Sequence, residues 1–145
     1  MEGFIIPLQV RWSDMDPNFH LRHSVYYDWA AVSRIEFLYK YQLTPDVMMQ
    51  LHFGPILFRE ECVFKKEIRL GDNVSINLEL LKSRRDYSRW TIQHTIFKNE
   101  DIISAIIAVE GAWLDTEKRK LTIPPQQVIH VFGKMPMGRD FQWVD

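Results

Sequence analysis

The period of the hydrophobic pattern changes several times along the chain. Phe4 to Trp12 is rich in β-formers, and Pro7 near its beginning predicts a first strand at a sheet edge or beside a bulge. From Ser13 to His23 neither helical nor strand spacing persists, and Asp, Asn, Pro and His crowd together as they do in turns and sites. Ser24 is placed to cap a helix running to about Tyr41, because Val25 to Tyr41 holds no Gly or Pro. Apolar residues surround that helix on nearly all sides, broken only by Asp28, Arg34, Glu36 and Lys40, which predicts an enclosed helix. Thr44-Pro45-Asp46 then opens a short second helix that ends before Gly54-Pro55.

Strands follow one another after that point. Pro55 to Ile68 leads to a turn at Gly71-Asp72, and Val74, Ile76, Leu78 and Leu80 alternate with polar residues. Arg84-Arg85-Asp86 breaks the pattern before Tyr87 to Phe97, which places Trp90, Ile92, His94 and Ile96 on one face. Asn99-Glu100-Asp101 turns into Ile102 to Leu114, with Ile103, Ala105, Ile107, Val109 and Trp113 on one side. Successive strands with short turns make an antiparallel sheet. The pattern predicts an α+β fold in which a sheet of about five strands curls around one long central helix. The core spans about residues 4–125 of a single domain covering 1–145, and the tail 126–145, with Gly133, Pro136 and Gly138, reads as irregular. Open sheet edges predict a homodimer or homotetramer.

Composition narrows the classes further. A chain of 145 residues, 46% hydrophobic and 26% charged, has no room for a second domain of ordinary size. Its net charge of −1 supplies no field for a polyanion, which argues against nucleic acid as a partner. No apolar run exceeds Ala105 to Val109, far below the roughly 20 residues that span a bilayer. Met1-Glu2-Gly3 lacks the basic region of a signal peptide. The single cysteine, Cys62, fits a reducing compartment, so the cytoplasm is expected. Aromatic residues make up 13% of the chain, enough to furnish a ring-lined pocket as well as a core.

The chemistry concentrates at Asp14, Asp16, Asn18, His20 and His23, directly before the central helix. Unpaired amides in a first helical turn, here around His23, Ser24 and Val25, stabilise an anion or a developing oxyanion. A carboxylate just upstream then acts as nucleophile or general base on a carbonyl polarised by those amides, which suits acyl transfer. The alternative for Asp14, Asp16, His20 and His23 is a metal-dependent hydrolase, since imidazole and carboxylate suit zinc or iron. A helical His-x-x-x-His or a cysteine cluster, the stronger metal signals, is absent from the sequence, and no metal or cofactor is expected.

The run Trp12-Ser13-Asp14-Met15-Asp16-Pro17-Asn18-Phe19-His20-Leu21-Arg22-His23-Ser24-Val25-Tyr26-Tyr27 resembles the signature of hotdog-fold thioesterases. Asp14-Met15-Asp16-Pro17 is similar to the Asp-x-Asp-Pro start of the 4-hydroxybenzoyl-CoA thioesterase group, whose second Asp is the catalytic carboxylate. Asp16-x-Asn18-x-His20 followed by Tyr26 is similar to the Asp-x-Asn-x-His motif of acyl-ACP thioesterases. Both resemblances imply a catalytic Asp16, and the second adds Asn18 and His20. Phe64-Lys65-Lys66-Glu67 before Gly71-Asp72 is also similar to the acyl-ACP branch, which implies a role for Glu67. Lys82-Ser83-Arg84-Arg85 resembles the basic cluster that grips CoA phosphates in the other branch, implying phosphate contacts from Lys82, Arg84 and Arg85. The resemblance covers about Phe4 to Pro125. It implies an acyl-CoA or acyl-ACP hydrolase, with a non-catalytic acyl-binding module on the same fold as a further alternative.

Other residues have plainer readings. Asp14 is expected to bond loop amides and hold Asp16 in place. His94, on an apolar strand face, reads as a satisfied core histidine, and Cys62 as a small apolar residue. At least one of Glu60, Glu61 and Glu67 is expected to face solvent or pair with a base, and the basic cluster read alone is a solvated turn. Phe19, Tyr26 and Tyr27 lie near enough to the loop to line an acyl pocket.

Overall fold

Alternating strands and one uninterrupted helical segment organise the chain, described for residues 3–145 in a computed structural model. Met1 and Glu2, which belong to the N-terminal signal-peptide reading, lie outside the described residues. The elements run β1 (Phe4–Leu8), α1 (His23–Lys40), α2 (Pro45–Gln50), β2 (Phe53–Phe64), β3 (Val74–Ser83), β4 (Arg89–Lys98), β5 (Ile102–Asp115), β6 (Lys120–Leu121), α3 (Gln126–Phe132) and β7 (Met137–Trp143). The main sheet has the order β1-β3-β4-β5-β2, antiparallel throughout, and it packs around α1. This is the predicted α+β arrangement. No helix among the described residues is long and apolar enough to cross a membrane.

Strand alternation decides which side chains enter the core. Val74, Ile76, Leu78 and Leu80 of β3 and Trp90, Ile92, His94 and Ile96 of β4 are buried, as their spacing predicts. On β5 the prediction holds for Ala105, Ile107, Val109 and Trp113 but not for Ile103, which is exposed. A bulge pairs Ile96 with Ala105 and Phe97 with Ile103, so the alternation slips by one residue at Ser104. Gly111 sits where the Trp90 ring crosses β5. A Cβ there would run into the Trp90 ring and lie 2.7 Å from the Ile56 carbonyl oxygen.

Several boundaries differ from expectation for local reasons. β1 stops at Leu8, and Trp12–Asp14 forms a single 3-10 turn because the Asp14 carboxylate accepts the Arg11 amide. Arg22, not Ser24, precedes α1, and Ser24 Oγ accepts from Arg22 Nε at 2.9 Å instead of capping. α1 is less enclosed than its composition implies. Val25, Tyr26, Trp29, Ala30, Ser33, Phe37 and Leu38 form the buried stripe, whereas Ala31, Val32 and Tyr39 are exposed, since the sheet covers one side only.

The expectation of an irregular tail is incorrect. Residues 126–145 contain α3 and β7, and Val128, Val131, Phe132 and Met135 are buried. Phe132 meets Trp90, Trp113 and Tyr87 with ring centroids 5.6–5.8 Å apart, closing one end of the core. β7 joins β3 in parallel beyond the end of β1.

His94 is a satisfied core histidine. Its Nδ1 is 2.9 Å from the Asn77 carbonyl, and its Nε2 accepts from Arg34 Nη1 at 3.2 Å. Burial, reinforced by the nearby Arg34 charge, pushes its pKa down to about 3.

Candidate functional site

The Asp/His loop is a tight excursion closed by a bridge between Met15 and Leu21. Inside it, the Asp16 amide donates to the His20 carbonyl at 2.9 Å, and the Phe19 amide donates to the Asp16 carbonyl at 3.0 Å. Asp16 Oδ1 accepts from the Asn18 amide at 2.8 Å and from the His20 amide at 3.4 Å. Asp and Asn suit such a turn because short polar side chains bond the backbone two residues on. Phe19 takes the left-handed conformation with φ of 64°, which reverses the chain at the tip. Asp16 Oδ2 is left facing the His20 ring, with Nδ1 at 3.1 Å.

Asp14 holds the base of the loop. It is buried and accepts from the Arg11 amide, Nε and Nη2 at 3.0, 3.2 and 2.9 Å. The bonded guanidinium holds its carboxyl below the ordinary range, against the opposing effect of burial. The Arg22 amide donates to the Asp14 carbonyl at 2.8 Å and Arg22 Nη1 to the Ser13 carbonyl at 2.8 Å, tying the loop to the start of α1. The Asp14 side chain thus bonds a loop amide, as expected.

Of the three amides expected to form an anion hole, Val25 is already engaged, donating to the Arg22 carbonyl at 3.0 Å. The amides of His23 and Ser24 have no acceptor among the described residues. They carry the free positive end of an 18-residue helix.

The facing wall comes from the segment after β2. Lys65 and Lys66 amides both donate to the Ser104 carbonyl, and the Leu21 amide donates to the Ile68 carbonyl, so the two walls are stitched together. Asp16, His20, His23 and Tyr26 on one side and Phe64 to Glu67 on the other line a cleft of about 400 Å³. Tyr26 packs edge-on against Phe64 with centroids 4.9 Å apart, and burial pushes its phenol pKa up. Glu67 accepts from Arg69 Nε at 2.9 Å, and this pairing holds its carboxyl below the usual range.

The structure therefore brings together Asp16, His20, Glu67, Tyr26 and His23, the first residue of α1. Asn18 contributes its amide to Asp16, while its side chain is exposed outside the cleft. Phe19 is exposed at the loop tip, and Tyr27, one residue round the helix from Tyr26, is turned toward Cys62. Lys82, Arg84 and Arg85 stand at the other end of the sheet. Glu67 is bonded by Lys98, which pairs with Val74, and Val74 to Ser83 spans roughly 30 Å of strand. Lys65 and Lys66 line the cleft although the sequence reading gave their side chains no role, and so does the His23 side chain, which entered only in the metal alternative. Their signal was present, since Lys65 and Lys66 sit inside the Phe64-Lys65-Lys66-Glu67 run. As for the metal alternative, Asp14 is consumed by Arg11, and no three His, Cys, Asp or Glu of the described residues converge as a ligand set.

The cleft holds a carboxylate whose Oδ2 meets only the His20 ring, together with His23 at the start of α1, a combination chemically capable of carbonyl activation. Solved structures share its scaffold. A Staphylococcus aureus hypothetical protein in complex with CoA is 19% identical, with TM-score 0.83, covering 94% of this chain and 87% of its own. A 1,4-dihydroxy-2-naphthoyl-CoA thioesterase from Synechocystis is 16% identical, with TM-score 0.82 and coverages of 92% and 97%. A thioesterase from Thermus thermophilus, complexed with coenzyme A and Zn, is 25% identical, with TM-score 0.73 and coverages of 90% and 93%. A search of curated proteins found no match. The fold is the hotdog fold that the loop motif implied. A profile described as the thioesterase-like superfamily matches residues 10–132, and the chain belongs to that superfamily.

Proposed function

We propose that the chain hydrolyses acyl thioesters, with acyl-CoA or acyl-ACP as substrate, and that Asp16 is its catalytic carboxylate. The observation that carries this reading is that Asp16 Oδ2, held by no backbone amide and met only by the His20 ring, lies in the same cleft as His23 at the start of α1, where the His23 and Ser24 amides are unfilled among the described residues. Asp16 takes the proton of an attacking water and passes it to the departing thiolate, or attacks the carbonyl itself to form a mixed anhydride that water then hydrolyses. The two amides stabilise the oxyanion, and the thiolate leaves with a proton. His20 positions Asp16 or the water, Asn18 acts through its amide, and Glu67, held ionised by Arg69, assists at the facing wall. The CoA held by the Staphylococcus and Thermus proteins supports CoA as the donor group. The cytoplasm remains the expected compartment.

The active unit in this proposal is a homodimer or homotetramer. β2 ends the sheet with an unpaired edge and exposes Leu57, Phe58, Val63 and Phe64. Antiparallel pairing of two β2 edges about a two-fold axis sets the Phe53 end of one copy beside the Phe64 end of the other. The Lys82–Arg85 turn of the second copy then comes to the side of the cleft, where Lys82, Arg84 and Arg85 meet CoA phosphates. Tyr27, beside β2, borders the same seam, so Phe19, Tyr26 and Tyr27 line the acyl pocket of the assembled form.

A panel of acyl-CoA and acyl-ACP thioesters with a free-thiol readout tests the reaction. Thiol release by the wild type that collapses in Asp16→Asn supports it. Ligand binding without hydrolysis across the panel would instead identify a non-catalytic acyl-binding module.

A further inference from the structure

A second cavity, of about 500 Å³, lies between the later turns of α1 and the sheet. Val32, Leu38, Leu57, Trp113 and Phe132 are among its apolar walls, and it shares no lining residue with the Asp16 cleft. Ala31, its first helical residue, lies roughly 12 Å along the axis beyond His23. The volume is that of a small-molecule site.

Arg34 is the one charged side chain lining this space, and only 15% of its side chain is exposed. A guanidinium has five N–H donors. Here one goes to His94 Nε2 at 3.2 Å, a neutral acceptor. The one carboxylate within reach, Glu60, stands at 3.9 Å, beyond hydrogen bonding. Glu60 thus balances the charge at a distance while leaving the half-enclosed guanidinium without a hydrogen-bonded anion. A second donor is short of a partner too, because the buried indole N–H of Trp90, another lining residue, has no acceptor among the described residues. Apolar walls, a cationic fork and a spare neutral donor complement a planar anion carried on an apolar chain.

We propose that this cavity binds a monocarboxylate with an unbranched apolar chain, its head on Arg34 and its tail against Trp113 and Phe132. Such an acid belongs to the class released by thioester hydrolysis, yet its binding here uses neither Asp16 nor the α1 amides. Failure of one reading leaves the other standing.

Titration of the whole chain with decanoate, decanol and decylamine, followed by heat and tryptophan emission, tests the site. Decanoate saturates one site per chain and binds at least about tenfold tighter than decanol, the size expected of a charged hydrogen bond. Decylamine does not compete. Asp16→Asn binds decanoate as the wild type does, whereas Arg34→Met loses the preference for acid over alcohol. Ala31→Phe, at an exposed helical position on the rim, weakens decanoate by a similar factor and keeps the test alive if Arg34→Met fails to fold. Equal affinity for acid and alcohol, an acid preference surviving in Arg34→Met, or wild-type binding by Ala31→Phe would overturn the proposal. A silent titration, with a second copy closing the cavity, would overturn it equally.

Discussion

His20 Nδ1 lies 3.1 Å from Asp16 Oδ2, while the opposite oxygen of the same carboxylate is held by the Asn18 and His20 amides. The backbone thus fixes one edge of Asp16 and leaves the other to a single imidazole. Asp16→Asn keeps the shape and removes the base, and turnover is expected to fall at least about a hundredfold. His20→Ala is expected to lower turnover less. The Asp16→Asn/His20→Ala double variant should fall no further than Asp16→Asn alone, because the two residues act as one unit. Steady-state kinetics on the four forms decide this, and additive losses would separate the two residues.

Asp14 gives a contrasting case. Asp14→Ala removes the acceptor of the Arg11 amide and guanidinium, and stability is expected to fall. Turnover falls as well, because the Arg22 amide is anchored on the Asp14 carbonyl and the loop base loosens. Denaturant melts measure the first effect. Unchanged stability would show that Asp14 does not anchor the loop.

The proposed pairing of β2 edges would link assembly to activity. A charge placed there, Val63→Asp, is expected to raise the subunit dissociation constant at least about tenfold through desolvation of the carboxylate in the seam. Sedimentation and thiol release should fall in parallel over the same range of protein concentration. Full activity in a monomeric variant would remove the second copy from the site.

His94 makes stability depend on pH in a calculable direction. Its folded pKa of about 3 lies below the ordinary 6.5, so between those values the unfolded chain binds a proton that the folded one refuses. Stability is therefore fully present above pH 6.5 and is lost as pH falls, at up to roughly 1.4 kcal/mol per pH unit. Asp14, with its depressed carboxyl, adds the same sign only below its ordinary 3.8. Denaturation between pH 7 and 4.5 isolates the histidine, and His94→Gln should flatten the slope there.

Gly111→Ala tests the packing of the aromatic end. The added methyl would meet both the Trp90 ring and the Ile56 carbonyl, and overpacking of this kind costs about 1–3 kcal/mol. Thermal unfolding reads it directly, and a neutral result would mean that the Trp90 ring moves aside freely.

Local chemistry made some of this legible from sequence and long-range packing hid the rest. Asp16, Asn18 and His20 were readable because the motif carries its own turn, in which each side chain or amide bonds a near neighbour. The strands β3 and β4 were readable because one face of each is buried and the alternation is clean. Ile103 was misplaced because a bulge leaves no mark in a run of apolar residues. α3 had a signal, Val128, Val131 and Phe132 at helical spacing after Pro125, but β7 had none, since its parallel pairing is with β3, distant in the sequence. The side of the helix taken by Tyr26 and not Tyr27, and the occupation of the Val25 amide, depend on a shift of one residue at the start of α1.

β7 ends beside the basic turn. Its Trp143 lies under the Arg85 guanidinium at 5.2 Å, and the Val144 amide donates to the Ser83 carbonyl at 2.8 Å. The acidic loop is anchored by its own neighbours and by Ile68, whereas the basic turn leans on the last residues of the chain. The two ends of the sheet are thus sprung independently, and, under the proposed function, trimming the C-terminal strand would slacken the grip on a polar cargo while leaving the cutting edge in place.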